Sequence, residues 1–426
     1  MNSTTPPAFA ALIGLDWGDK SHAIALQPEG QPIETSTLTH SAESVHQWLD
    51  QLEQRFQSRP VAVAIETDQG ALLHALLERP WIVIYPIHPA TSTRHRKMFR
   101  PSGAADDLPD ALVLLSLLQH YRDRLRPLLP DDVPTRTLAR LAEARRKAVD
   151  RRTLLLNQLT STLKGYFPQA LELASENLAS DMALDFLAKW PRLTDLQAAK
   201  ASTLKSFYHR HNVRRPELIQ KRLDLVRSAR LLTTDPAVIE VSVRIVQLLV
   251  DELRVLLKHI GSFETAIAQE FAQHPEQDFF AQLPGAGPTL APRLLAAFGT
   301  LRHLYPEPAS MQRYFGVAPV TEKSGSRAWV HWRWNAPNFI RQTLVEWAAQ
   351  TVLYCPWAKA YYQRQRAKAM RHHAILRALA FKWLRILWRC WQNREPYNEE
   401  KYLRQLEKRH SPIAAQARQL ALTMTL

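Results

Sequence analysis

The sequence predicts an α/β N-terminal domain over residues 8–130, a long helical, coiled-coil-like middle over 131–275, and a mostly α-helical C-terminal domain over 276–400, with a tail at 401–426. Three observations predict this division. Short apolar, β-branched runs alternate with helix-spaced segments near the start of the chain. The middle carries leucine and valine at helical spacing with little glycine or proline. The last part opens on a glycine turn and closes in helices rich in tryptophan and arginine. A chain of 426 residues also fits about three domains of roughly 150 residues.

Leu12–Leu15 and His22–Leu26, separated by a polar turn, read as a hairpin. Ser41–Gln57 places Val45, Trp48, Leu49 and Leu52 at helical spacing. Val61–Ile65 reads as a strand ending at Glu66, Ala71–Leu77 as a short helix and Trp81–Ile87 as a further strand. Asp107–Tyr121 reads as a helix, because its apolar run lacks turn residues. In the middle, Leu138, Leu141, Ala142, Ala148, Leu155 and Leu159 recur on one face, and Pro216–Phe271 repeats the pattern. We read this stretch as a helical arm inserted between two functional domains, a linker and oligomerisation region whose helices pack on one another or on another chain; an ordinary helical bundle is the alternative. The C-terminal part is expected to be helical around the loop that runs from Gly316 to Trp334.

Composition narrows the function. Lys and Arg total 55 against 40 Asp and Glu, a net charge of +15 that favours a polyanionic partner. Lys359–Arg394 holds ten of these cations and no carboxylate, and such a block repels itself unless something neutralises it. Two cysteines, Cys355 and Cys390, exclude a disulfide scaffold and suit a reducing, cytoplasmic setting. No apolar run approaches a membrane span, and MNSTTPPAFA lacks the pattern of a secretory leader, so no membrane partner is expected.

Asp16 and Glu66 each close an expected strand, and Asp107 and Asp110 lie three apart in the first turn of an expected helix, on one side of it. Four such carboxylates can hold two divalent cations about 4 Å apart for phosphoryl transfer. Mg²⁺ suits hard oxygen ligands. Each residue also has an ordinary explanation: Asp16 as a turn former, Asp107 and Asp110 as favourable charges at a helix N-terminus, and Asp106 as a cap that competes for the third place. Further on, Leu283-Pro-Gly-Ala-Gly-Pro288 before an apolar helix looks like a helix-hairpin-helix turn. There Gly285 and Gly287 would let the backbone approach a phosphate; a plain tight turn is the alternative. Eight of the twelve tryptophans lie between Trp329 and Trp391, interleaved with cations. Such rings can stack on unpaired bases, but Trp383, Leu384, Leu387, Trp388 and Trp391 fit better as the packed face of an amphipathic helix.

The segments IGLDWGDKSHAIAL, AIETDQG and DDLPDALVLL resemble the N-terminal domain of DEDD-type transposases of the insertion-sequence 110 family. The resemblance implies a RuvC-like, ribonuclease-H fold. It carries the family's acidic pattern onto Asp16, Glu66, Asp107 and Asp110 as ligands of Mg²⁺. The family's later landmarks match the Leu-Pro-Gly-x-Gly turn at 283–287, Phe315-Gly-Val-Ala-Pro319, and Lys323-Ser-Gly-Ser-Arg327. By that match Ser324 is the nucleophile, with Ser326 as the fallback. Arg333-Trp334-Asn335 and Asn338-Phe-Ile-Arg341 stand where the family has Arg-Gly-Asn and a Leu-Arg helix, Trp334 replacing the glycine. The resemblance implies an insertion-sequence transposase that acts as an RNA-guided, site-specific DNA recombinase. In that reading Ser324 attacks a DNA phosphate to give a 5′-phosphoserine link, and strand exchange follows. Implied partners are target and donor DNA, a structured non-coding bridge RNA and further copies of the chain as a dimer of dimers, nucleoid-associated when acting. Expected nucleic-acid contacts are Gly285, Gly287, Lys323, Arg327, Arg333, Arg341, Arg364, Arg366, Lys368 and Arg371. Two rivals are a RuvC-like nuclease that hydrolyses with water and a non-catalytic nucleic-acid binder.

Overall fold

A computed structural model describes residues 9–66, 70–99 and 107–424. The chain divides into two compact units, one ending at Pro130 and one beginning at Asp131.

The first unit is a five-stranded mixed sheet with helices on both faces. Its strands are β1 (Ala11–Asp16), β2 (Ser21–Pro28), β3 (Glu34–Thr39), β4 (Val61–Ile65) and β5 (Ile82–Pro86), in the order β3-β2-β1-β4-β5. The first three strands form an antiparallel meander, and β4 and β5 run parallel to β1. The helices are α1 (Ala42–Phe56), α2 (Ala71–Leu77), α3 (Pro89–Phe99) and α4 (Asp107–Tyr121). Ser41 caps α1 by accepting from the Ser44 amide.

Strand alternation sorts the side chains. Ile13, Leu15, Ile24, Leu26, Val63 and Ile65 face one way and pack with Val45, Leu49, Leu52, Leu72 and Leu76 of α1 and α2. The other face is made of small residues: Ala23 and Ala25 touch Ala111 and Leu115 of α4, and Ala62 and Ala64 lie with Leu114, Leu117 and Leu118. Gly14 is the extreme case. A Cβ there would collide with the carbonyl oxygen of Ala111 and the amide of Leu115. Small residues thus let α4 lie almost on the sheet.

Two elements were not anticipated. β3 is an edge strand in which only Leu38 is buried, so its sequence is polar. α3 carries no apolar stripe; its inward contacts come from Ser92 and His95.

The second unit is built on two long helices, α5 (Val133–Tyr166) and α11 (Pro236–Gln273). They are antiparallel: Arg145 pairs with Glu264 and Arg151 with Glu252, and the pair links two cores. At one end Leu155, Leu159, Val246 and Leu253 join the short helices α6 (Ala170–Leu173), α7 (Asp181–Lys189), α8 (Leu193–Ala198), α9 (Ala201–Arg210) and α10 (Pro216–Ser228), around Phe186, Trp190, Phe207 and Tyr208. At the other end Leu138, Ala142, Ile267 and Phe271 enter a core with α12 (Gln277–Ala281), α13 (Gly287–Phe298), α14 (Pro308–Tyr314), α15 (Asn338–Tyr354), α16 (Pro356–Ala367), α17 (His372–Asn393), α18 (Glu399–Lys408) and α19 (Ala414–Met424).

Residues 131–275 therefore contribute to both cores. The tail is equally structural: Leu403, Ile413 and Ala417 are buried, and Cys355, Trp357, Tyr397 and Glu399 form a hydrogen-bonded cluster beside α18. Trp347, Trp357, Trp383 and Trp391 are fully buried, so the tryptophan-rich face of α17 is packing. The remaining element is a two-stranded hairpin, β6 (Val320–Ser324) and β7 (Arg327–His331), where a loop was expected.

Gly14→Ala is expected to lever α4 off β1. The first unit should lose about 1–3 kcal/mol, the usual cost of overpacking, read as an earlier transition in urea unfolding.

Candidate active site

The first candidate cluster lies at the C-terminal ends of two interior strands of the sheet, β1 and β4. β1 and β4 are parallel and in register, Leu15 opposite Ile65, so Asp16 and Glu66 follow side by side at the ends of adjacent strands. Strands lie about 4.8 Å apart, which brings these two carboxylates within reach of one ion. Alternation puts both on the face that carries Gly14 and Ala64, the face covered by α4. Asp110 stands in the first turn of α4, next to the Ala111 that seats on Gly14. Asp107 begins that helix; its side chain lies outside the described residues, as does all of Asp106.

Asp110 is in an ion pair with Arg96 of α3, the two side chains only 15% and 19% exposed. Sequence reasoning missed Arg96, since a polar stretch with several cations offers no sign of which one turns inward. Among the described residues no three His, Cys, Asp or Glu side chains gather into a metal-holding group. The donor chemistry of Asp16 and Glu66 fits a hard cation. A third carboxylate from Asp110 is, in this arrangement, neutralised by Arg96.

The turn after Asp16 is pinned by His22, which is buried. The Gly18 amide donates to His22 Nδ1 at 3.2 Å, so the ring proton sits on Nε2 and is donated to Nδ1 of His40 at 2.9 Å. Burial, and then the neighbouring His40, lower the His22 pKa below the ordinary imidazole value.

The second candidate group is in the other unit, on the hairpin. Ser324 pairs with Arg327 across a two-residue turn, Gly325-Ser326, with Gly325 at φ 58°. A positive φ at the first central position calls for glycine in such turns. A Gly-Ser pair between alternating residues was the signal that could have revealed this hairpin. Lys323, Ser324, Ser326 and Arg327 are all exposed. Glu322 pairs with His331, whose ring also meets the Trp332 carbonyl at 2.8 Å. That carbonyl first, and Glu322 next, raise the His331 pKa.

Among the other expected nucleic-acid contacts, Gly285 and Gly287 form the turn between α12 and α13, both with positive φ, beside an open groove of about 770 Å³ that Thr289, Arg293 and Glu346 also line. Arg341 donates to the Arg333 carbonyl, bonds Asn338 and lies over the Trp332 ring, which makes it a brace of the hairpin. Arg333 approaches the Ala318 carbonyl at 3.4 Å. Arg364 donates to the Pro412 carbonyl and Arg366 to that of Met370. Lys368 and Arg371 are exposed at the break between α16 and α17.

Comparison with known proteins separates the same two regions. Residues 13–168 match the DEDD transposase model of the IS110 family, described as a transposase, and residues 277–363 match the transposase family IS116/IS110/IS902. The chain belongs to the IS110 family of transposases. A mini-circle protein named as a transposase for IS117 of Streptomyces coelicolor is 28% identical over 92% of this chain and 97% of its own. A 42 kDa protein of the insertion element IS900 of Mycobacterium paratuberculosis is 22% identical over 90% and 96%, and a 43.6 kDa protein of IS110 of Streptomyces coelicolor is 23% identical over 88% and 92%. The enzyme is thus a DNA transposase. No helix among the described residues is long and apolar enough to cross a membrane.

A lowered His22 pKa means that the native transposase holds fewer protons on this ring than the unfolded chain does. The stabilisation is then complete above the ordinary imidazole value of about 6.5 and is lost as pH falls through the lowered one. The melting temperature of the first unit should fall as pH drops through that window, and His22→Gln should flatten the dependence.

Proposed function

We propose that this transposase is a site-specific DNA recombinase in which an acidic site with a RuvC-like fold and the serine of the hairpin carry the reaction. The observation that supports it most is the in-register pair Asp16 and Glu66, with Asp110 delivered to the same face by α4. A mixed sheet with parallel and antiparallel strands is compatible with the ribonuclease-H reading. Asp16, Glu66, Asp107 and Asp110 would hold Mg²⁺, which supplies polarisation of the scissile phosphate and stabilises the departing oxygen.

Ser324 provides the nucleophile. Its Oγ bonds to phosphorus while the P–O3′ bond breaks, leaving a 5′-phosphoserine and a 3′-hydroxyl. A 3′-hydroxyl of the partner strand then attacks the same phosphorus and frees Ser324. Phosphodiester bonds are conserved in number, so no energy-rich cofactor is consumed. The exposure of Ser324 on a turn between Lys323 and Arg327 favours this role. Family membership extends the reading to a bridge RNA that pairs with target and donor DNA. Exposed Lys382, Arg385 and Arg389 along α17, with Lys368 and Arg371, fit a polyanion of that size. Self-association through α11, which family membership extends to a dimer of dimers, is favoured by Val241, Leu248 and Val255, exposed at seven-residue intervals.

Trapping of covalent protein–DNA adducts, with mass-spectrometric mapping, tests the proposal. The adduct is expected on Ser324 and absent from Ser324→Ala and Asp16→Asn proteins. Cleavage that persists in Ser324→Ala with no adduct would favour hydrolysis by water instead. Arg96→Gln should release Asp110 and tighten Mg²⁺ binding about 10- to 150-fold by calorimetry, in line with a charge-assisted bond of about 1.5–3 kcal/mol. An unchanged affinity would leave Asp110 outside the metal set.

A further inference from the structure

The hairpin that carries Ser324 has two unlike surfaces. Residues opposite each other share a face, so Val320, Glu322 and Ser324 of β6 lie with Arg327, Trp329 and His331 of β7. Trp329 is the diagonal neighbour of Ser324, about 7–8 Å away on the sheet geometry. Trp329 is 47% exposed, and among the described residues no ring contact or cation covers its indole. Trp332, three residues on, is the opposite case: the guanidiniums of Arg341 and Arg377 lie over its ring at 4.6 and 4.5 Å, fastening the hairpin to α15 and α17. Trp332 anchors the element, and Trp329, like Trp334 beyond the strand, is left facing solvent.

Leaving an indole in water on the face of a nucleophile forgoes burial that a polar residue would not need. The charge around it selects the partner. Lys323 and Arg327 have no acidic partner among the described residues, and the one carboxylate of the hairpin, Glu322, is held by His331. Such cations are stable in water on their own, but beside an uncovered ring they match one partner in particular. A nucleic-acid strand gains from both, since phosphates meet the cations while a base meets the ring.

We propose that Trp329 is a stacking residue for an unpaired nucleotide of the DNA strand, within two nucleotides of the phosphate that Ser324 attacks, with Arg327 on that phosphate or its neighbour. A separation of about 7–8 Å corresponds to roughly two base rises of 3.4 Å, so a base one or two nucleotides from the scissile phosphate reaches the ring. The strand must be locally unpaired, because a base within a duplex has no free face. The proposal rests on the serine reading for its position but not for its measurement.

The test uses the full-length protein and a thymidine oligonucleotide bearing one 2-aminopurine, titrated single-stranded and as a duplex. Stacking on Trp329 should quench the probe in the single strand. Trp329→Ala should abolish the quench and weaken single-strand binding about 5- to 150-fold, the range for loss of one stacked base, with the salt slope unchanged. Trp329→Phe should restore most of the affinity. Arg327→Ala should instead reduce the salt slope by about 0.7, as one phosphate contact does on a single strand. Equal quenching and affinity in Trp329→Ala and the parent would overturn the proposal, as would equal losses on single strand and duplex. The same titration on Ser324→Ala separates the two readings. Quench retained there while no covalent adduct forms on the parent protein would leave Trp329 as a stacking residue and remove Ser324 as nucleophile.

Discussion

How closely α4 can lie on its sheet governs the first unit. A helix with ordinary side chains beneath it rides about 10 Å above a sheet; here the floor is Gly14, Ala23, Ala25, Ala62 and Ala64. The contact between Gly14 and Ala111 is backbone to backbone. It sets the height and the register of the helix together, because no flexible side chain is available to absorb a shift. Asp110 is the residue before Ala111, and Asp16 is two residues beyond Gly14 on the same face. The positions of the acidic groups therefore follow from a packing constraint in which no acid takes part. The ion pair of Arg96 with Asp110 then fits as local charge balance: a carboxylate held at the rim of a packed face is costly without a counter-charge.

The second unit solves a different problem, which is to hold an exposed hairpin in place without burying it. β6 and β7 contribute almost nothing to the core, since all of their residues except Val320 and His331 are exposed. Their anchorage comes from one end, where Trp332 lies between Arg341 and Arg377 and Arg341 donates to the Arg333 carbonyl. Gly316 permits this, because a Cβ there would strike Ala336 and crowd Arg341. Burial lowers the pKa of the Arg341 guanidinium, which is consistent with a structural cation. An arginine that sequence pattern alone counts among the phosphate contacts is, in three dimensions, a mast for the loop that carries Lys323 and Arg327.

Much of the framework was legible where one face of an element is apolar. Ser41–Gln57 gave itself away as a helix through its spacing, Val61–Ile65 as a strand through β-branching, and Asp107–Tyr121 through an unbroken apolar run. β3, α3 and the β6–β7 hairpin were not legible, because each buries one or two residues at most and leaves the hydrophobic pattern almost silent. The same reason hid the tail helices, whose amphipathic signal is short. Within the candidate site, Asp16 and Glu66 could be read from strand ends. Arg96 and the His22–His40 pair could not, since their roles exist only through partners that the fold supplies from separate elements.

The hairpin also constrains how Ser324 can act. A serine hydroxyl needs a base or a metal to become a useful nucleophile at neutral pH. The one imidazole on the hairpin is His331, and it lies four residues along β7 from Arg327, the partner of Ser324, about 13 Å at the rise of a strand. Its two nitrogens are already directed at the Trp332 carbonyl and at Glu322, contacts that favour its charged form. Such a ring does not reach Ser324, and both of its nitrogens are already engaged. Glu322 shares the face of Ser324 but is committed to His331. The near neighbours that remain, Lys323 and Arg327, are cations, which stabilise an alkoxide or hold a phosphate but take no proton while charged. Activation by a fixed side-chain base within the hairpin, as in a serine–histidine pair, is therefore not built into this element. If Ser324 attacks phosphorus, its proton must go to a group the hairpin does not contain, and the hairpin's own contribution is to present the hydroxyl uncovered between two positive charges.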